Sequence, residues 1–315
     1  MSGLPVERAH RLAECAEERR WLIDGLWADE GVGIVGGEPK CCKSFLALDM
    51  AVSVAAGTAC LRRFAVPRPG RVLLFAAEDA LHVVRRRLDG IARAAGVALA
   101  DVDIHVITAP TVRLDVEADR RSLTETVAAL RPRLLILDPF VRLHRIDENV
   151  SGEVAPLLAF LRELQRRYQL AVVVVHHARK GAGRARAGQA LRGSSEFHAW
   201  GDSNLYLRRE SEQLTMSIEH RAAASSSGIA LRLKADDEAI ALEIIQRTAA
   251  SAEAPPELHE RIEKALAAAD EPMTVAALRM NCRVRNERLV EVLADMVSAG
   301  RVHRVASGGY ALSSP

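Results

Sequence analysis

Short aliphatic runs recur along most of this chain with amphipathic stretches between them, and that alternation restricts the possible folds more than any other feature. Val32 to Val35, Val72 to Ala76, Ile104 to Ile107, Leu134 to Leu137 and Ala171 to Val175 are nearly free of polar side chains, as strands buried on both faces must be. Residues 43–56, 80–95, 120–130 and 153–168 lie between them with apolar positions at helical spacing. The alternation predicts an α/β fold, a mostly parallel sheet with helices on both faces. A further helix is expected over about residues 5–20. Beyond Arg192 the pattern changes: Ser203–Leu207, Leu214–Glu219, Ile229–Leu233 and Ala239–Ile245 read as strands joined by short polar turns, which predicts antiparallel additions to the sheet.

A chain of 315 residues, 49% hydrophobic and 27% charged, has apolar material for a large core and excludes a disulfide-stapled mini-protein. Residues 249–257 (AASAEAPPE) end the pattern with Pro255 and Pro256, which continue neither a helix nor a central strand. The expected organisation is a domain over 1–248, a linker over 249–257 and a small domain over 258–315. Helix, helix, helix and hairpin is the order read in that last part, which is a winged-helix arrangement. The formal net charge is only +2, so any nucleic-acid partner must meet a local patch. No apolar run approaches the ~20 residues of a spanning helix, and the first twenty residues are charged where a secretory leader is apolar. The five cysteines show no CxxC pair, so reduced thiols, a cytoplasmic location and no membrane partner are expected.

The segment from Gly31 to Leu48 carries the clearest chemistry: an apolar strand, a compact loop, and a helix opening at Lys43 and Ser44. Gly37, Glu38, Pro39, Lys40, Cys41, Cys42, Lys43, Ser44 and Phe45 form a candidate phosphate cradle. Such a loop needs inward backbone N–H groups, a helix N-terminus behind them, a lysine for the β and γ oxygens, and a hydroxyl for Mg²⁺. Gly37, Lys43 and Ser44 meet those needs at the spacing GxxxxGK[ST]. Cys42 stands where that pattern has glycine, so a Cβ and a sulfur occupy the place where bare backbone ordinarily approaches phosphate. The bland alternative is a polar strand-to-helix turn with a solvated Lys43.

Other strand ends supply matching groups. Leu134 to Asp138 is an apolar strand ending in an acid suited to the Mg²⁺ water shell. Arg71 to Glu78 brings a second carboxylate, placed to orient or deprotonate a water. Ala171 to Val175 runs into His176 and His177; His176 directly follows the strand and is placed to contact a γ-phosphate, although a packed histidine beside a solvated one is the plainer reading. Several strands thus converge on one sheet edge, where open α/β sheets bind ligands.

The order GGEPKCCKSFLALD, LLFAAED, LLILDPFVRLHRIDEN, VVVVHHARK and LRGSSEF resembles the RecA-like P-loop ATPases of the plasmid RepA helicase type, over roughly residues 20–247. The resemblance implies a ring-forming, commonly hexameric ATPase that acts on single-stranded DNA in replication of plasmids or other mobile elements. It implies ATP and Mg²⁺ as ligands, Lys43 and Ser44 on phosphates and Mg²⁺, Glu78 as catalytic carboxylate, Asp138 as the second acid at the metal, and His176 as γ-phosphate sensor. Arg192 takes the arginine-finger role toward a neighbouring subunit. Arg221 is the second candidate for it, an exposed strand-end cation being the other reading.

Residues 178–192 hold five cations, three glycines and no acid. In a ring, Arg179, Lys180, Arg184 and Arg186 would track a phosphate backbone electrostatically; outside a ring the segment reads as a solvated loop. Arg279, Arg283, Arg285 and Arg288 cluster near the third helix of the small domain, yet residues 256–315 balance eight cations with eight acids, so docking of a replication protein or a neighbouring subunit is as consistent as DNA. The reading is therefore an ATPase that translocates on or unwinds DNA, the alternative being a nucleotide-gated DNA-binding regulator or adaptor with weak or no hydrolysis.

Overall fold

The computed structural model of the chain describes residues 6–11, 20–177, 196–210, 213–236, 238–245, 258–269, 271–282, 284, 286–305 and 309–312. The chain divides into two compact units, residues 1–246 and 247–315. In the first unit a short hairpin of β1 (Trp21–Ile23) and β2 (Trp27–Ala28) precedes β3 (Val32–Gly37), which leads into α1 (Lys43–Ala56). Then come β4 (Val72–Ala76), α2 (Leu81–Ala94), β5 (Ile104–Val106), α3 (Glu117–Leu130), β6 (Leu134–Asp138), α4 (Ser151–Tyr168) and β7 (Ala171–His177). After α5 (Glu196–Trp200) the chain forms β8 (Ser203–Glu210), β9 (Gln213–His220), β10 (Ser226–Asp236) and β11 (Ala239–Ile244).

These strands form a sheet of order β11-β10-β9-β8-β3-β7-β6-β4-β5. From β8 to β5 every pairing is parallel, and from β8 to β11 every pairing is antiparallel. The mixed, mostly parallel α/β sheet with its antiparallel extension is the one the sequence pattern predicts. Strand pleating sends alternate side chains to opposite faces. Val35, Val72, Leu74, Leu134, Ile136, Val173 and Val175 pack with α1 and α2. Ile34, Leu73, Phe75, Leu135, Leu137, Val172 and Val174 pack on the other side with α3 and α4, where Val154, Leu157, Leu158, Leu161 and Leu164 make a helical apolar stripe.

β3 sits between β7 and β8 and is wholly buried. Gly33 is required there, because a Cβ would lie 1.7 Å from the Ser203 carbonyl oxygen. Of the helix expected over about 5–20, residues 5 and 12–19 lie outside the described residues, and Ala9–Arg11 form a 3₁₀ turn. The fifth apolar run extends through His176 and His177 as strand rather than ending at Val175.

In the second unit, α6 (Leu258–Ala267), α7 (Val275–Cys282) and α8 (Asn286–Ser298) precede an antiparallel ladder of β12 (Val302–Arg304) with β13 (Tyr310–Leu312). Ile262, Leu266, Leu278, Cys282, Leu289, Leu293, Met296 and Val302 form its own core. The linker expected at 249–257 lies outside the described residues. Among the described residues no helix is long and apolar enough to cross a membrane.

Gly33→Ala is expected to lose about 3 kcal/mol of stability and to lower Tm by roughly 6–12 °C. A calorimetric scan of the variant checks this, and an unchanged Tm would contradict the close β3–β8 approach.

Candidate active site

The loop after β3 owes its shape to three backbone positions. Gly37 has φ +154° and no room for a side chain, since a Cβ would stand 2.3 Å from the Leu207 carbonyl oxygen of β8. Lys40 (φ 65°) and Cys42 (φ 60°) are both left-handed, a backbone form that gathers N–H groups into an anion-binding concavity. The fourteen-residue α1 starts immediately behind it, and the Cys42 carbonyl accepts the Leu46 N–H at 3.0 Å. Position 42 thus has the backbone that explains the usual glycine. A cysteine there costs roughly 1–2 kcal/mol.

A cavity of about 310 Å³ opens beside the loop. Lys40, Cys41, Cys42, Lys43, Ser44 and Phe45 line one side, with Ala76, Glu78, Asp79, Arg87, Asp138, Val175 and His177 around the rest. Parallel register explains the convergence: Gly37 is level with His177, and Ala76 with Asp138, at the carboxyl edge of the sheet. Lys43 is buried and its Nζ donates to the Glu38 carbonyl oxygen at 2.8 Å. Burial pulls its pKa down, against the nearby Cys41, Asp138 and Glu78, which favour the charged form. Asp138 is pushed up to about 6, chiefly by burial and further by the charges of Asp79 and Glu78; a hydrogen bond with the Ser44 side chain and the charge of Lys43 oppose the rise.

The AAA_25 family, described as an AAA domain, matches residues 3–183, more than half of the chain. This chain belongs to that family. An AAA domain of this P-loop kind implies binding and hydrolysis of a nucleoside triphosphate, with ATPase activity and Mg²⁺ as the usual companion. The donor set fits that ion. A hydroxyl from Ser44 and carboxylates from Asp138, Glu78 and Asp79 are the hard oxygen ligands that Mg²⁺ takes directly or through water. The match takes in the loop, Glu78, Asp138 and both histidines; β8 to β11 and the second unit lie beyond it.

The structure also distributes the sequence candidates of this AAA domain. Lys40 through Phe45, Glu78 and Asp138 meet at the cavity, whereas Gly37, at the end of β3, Glu38 and Pro39 are not among the lining residues. Glu78 is half exposed and pairs with Arg142 at 3.1 Å, while Asp79 pairs with Arg87, whose guanidinium lies 5.1 Å from the Phe45 ring centre. Arg221 directly follows β9 at the amino edge of the sheet, bonded to the Ala199 carbonyl and 3.4 Å from Asp202, so it does not line its own chain's cavity. Arg179, Lys180, Arg184, Arg186 and Arg192 lie outside the described residues.

The expectation for His176 needs correction. Because β7 continues through both histidines, the pleat turns His177 toward the cavity with Val175 and His176 to the opposite face with Val174. His176 is 1% exposed, with its ring 4.3 Å from that of Phe197 and its Nε2 3.4 Å from Glu148. His144 approaches the other Glu148 oxygen at 3.2 Å. Burial alone would raise the Glu148 pKa, but hydrogen bonding with His144 and His176 brings it down to about 2. The sequence reading gives Asp79, Arg87 and Arg142 no role and names His177 only beside His176. Asp79 and His177 each adjoin a candidate; Arg87 and Arg142 carry no local signal.

The raised pKa of Asp138 has a defined consequence for stability. The ionised form is disfavoured in the folded chain, so its cost is absent below pH about 4, grows between about 4 and 6, and is constant above. Asp138→Asn, without nucleotide or metal, is therefore expected to stabilise the protein at pH 7.5 by at most about 3 kcal/mol. The gain should shrink toward zero as pH falls to about 4. Denaturant unfolding at a series of pH values tests this, and a pH-independent difference would contradict the assignment.

Proposed function

We propose that this AAA-domain chain is a ring-forming ATPase, hexameric by analogy, that uses ATP hydrolysis to move along or unwind DNA in the replication of a plasmid or other mobile element. The observation that carries the hydrolytic part is the meeting of Lys43, Ser44, Asp138 and Glu78 in one cavity behind a helix N-terminus. Lys43 holds the β and γ oxygens; its low exposure keeps competing water away from the charge. Ser44 and Asp138 would hold Mg²⁺, in part through water, and the ion would supply neutralisation of the phosphate oxygens. Glu78 orients the attacking water and accepts its proton. His177, rather than His176, is the histidine available to the γ-phosphate.

Arg192 or Arg221 acts on the nucleotide of a neighbouring subunit, where a guanidinium offsets charge developing in phosphoryl transfer. Arg221's place at the sheet edge remote from its own cavity favours such a role in trans. Arg179, Lys180, Arg184 and Arg186 contact single-stranded DNA through its phosphates, with steep salt dependence. The three helices and ladder of the second unit are a winged helix that docks DNA or a replication partner. A cytoplasmic site of action accords with the reduced thiols read from the sequence.

A second reading, a nucleotide-gated DNA-binding regulator with little or no hydrolysis, is favoured by one observation: Cys42 puts a side chain on the cradle where glycine is usual. Turnover of ATP with and without single-stranded DNA, followed by unwinding of a forked duplex, separates the two. The ATPase reading expects hydrolysis stimulated by single-stranded DNA and loss of at least about a hundredfold in Lys43→Ala. Nucleotide binding without turnover would support the regulator, and wild-type turnover in Lys43→Ala would overturn the site.

A further inference from the structure

The two sulfurs of the phosphate loop meet one residue from outside the family match. Arg209, near the end of β8, is close enough to Cys41 for its backbone and its charge to oppose the rise that burial gives the thiol's pKa. Its guanidinium Nη2 lies 3.6 Å from Cys42 Sγ. Cys41 is 1% exposed and Cys42 half-buried, whereas Arg209 is exposed, so the contacts tie a surface strand end to the inner wall of the cavity. Leu207 of the same strand presses its carbonyl against Gly37 at the start of the loop. β8 therefore touches the loop at its first residue and at the residues before Lys43.

We propose that Arg209 is a positioning residue for the phosphate loop, holding Cys41 and Cys42 so that the left-handed cradle persists with a cysteine in the glycine position. The inference rests on the reading of this loop as the nucleotide site. A glycine at 42 adopts the left-handed backbone freely and offers nothing to hold. A cysteine is strained there, but its sulfur provides a soft acceptor for a guanidinium donor. Cys42 and Arg209 thus act as a pair, and the effect of losing one depends on the presence of the other.

A double-mutant cycle on the full-length chain tests the pairing: wild type, Arg209→Gln, Cys42→Gly and the double variant, with MgADP affinity measured by calorimetry. Arg209→Gln should weaken binding about threefold to tenfold with Cys42 present and less than about twofold with glycine there, a coupling in the range for residues in contact. Arg209→Lys, which keeps the charge, should recover part of the loss. Equal losses in both backgrounds, or none in either, would overturn the pairing. Hydrogen exchange of residues 38–46 without nucleotide provides a separate reading: Arg209→Gln should speed it with Cys42 and leave it unchanged with glycine. If the wild type retains no MgADP, the nucleotide site fails while exchange still decides the pairing.

Discussion

The central strand β3 is hydrogen-bonded to β7 on one side and β8 on the other, and its glycines let the β8 backbone approach too closely for any Cβ at position 33 or 37. A strand gripped on both edges cannot shift its register without breaking two ladders. The loop that follows is therefore delivered to a fixed point on the sheet edge. β6 and β7 end beside it, at Asp138 and His177, in the same parallel register. Each chemical group of the cavity inherits its place from that arrangement.

Burial then sets the electrostatics. A lysine and an aspartate brought into the same enclosed corner each lose hydration, which lowers the one pKa and raises the other. Their mutual attraction and the Ser44 hydrogen bond recover part of the loss. Such a site is costly to the resting protein and suited to a ligand with negative charge and a divalent ion. The strain at Cys42 belongs to the same economy: the loop holds a conformation that its residue disfavours, and neighbouring contacts maintain it.

Around this centre the fold has two parts of different standing. The parallel half of the sheet, from β3 to β7, lies within the family match and contains the cavity walls. The antiparallel half adds β9 to β11 through β8, and α2 packs against it: Arg93 reaches Glu238 at 3.0 Å, and Gly90 leaves room for Ile240. The extension therefore braces both β3 and the helix that supplies Arg87.

Much of this was legible in the chain itself. Aliphatic runs long enough to cross a sheet but too short for a membrane determined a parallel α/β core, and the spacing of Gly37, Lys43 and Ser44 marked the loop, because local periodicity and turn chemistry act over only a few residues. The tertiary structure decided which of two adjacent histidines faces the cavity, since two more residues of strand pairing on β7 set the pleat. It also decided which edge holds Arg221, and that Arg87, Arg142 and Arg209 converge on the site from distant positions. Those outcomes depend on strand register and on pairings across long stretches of chain, and neither is encoded in the residues adjacent to the ones they place.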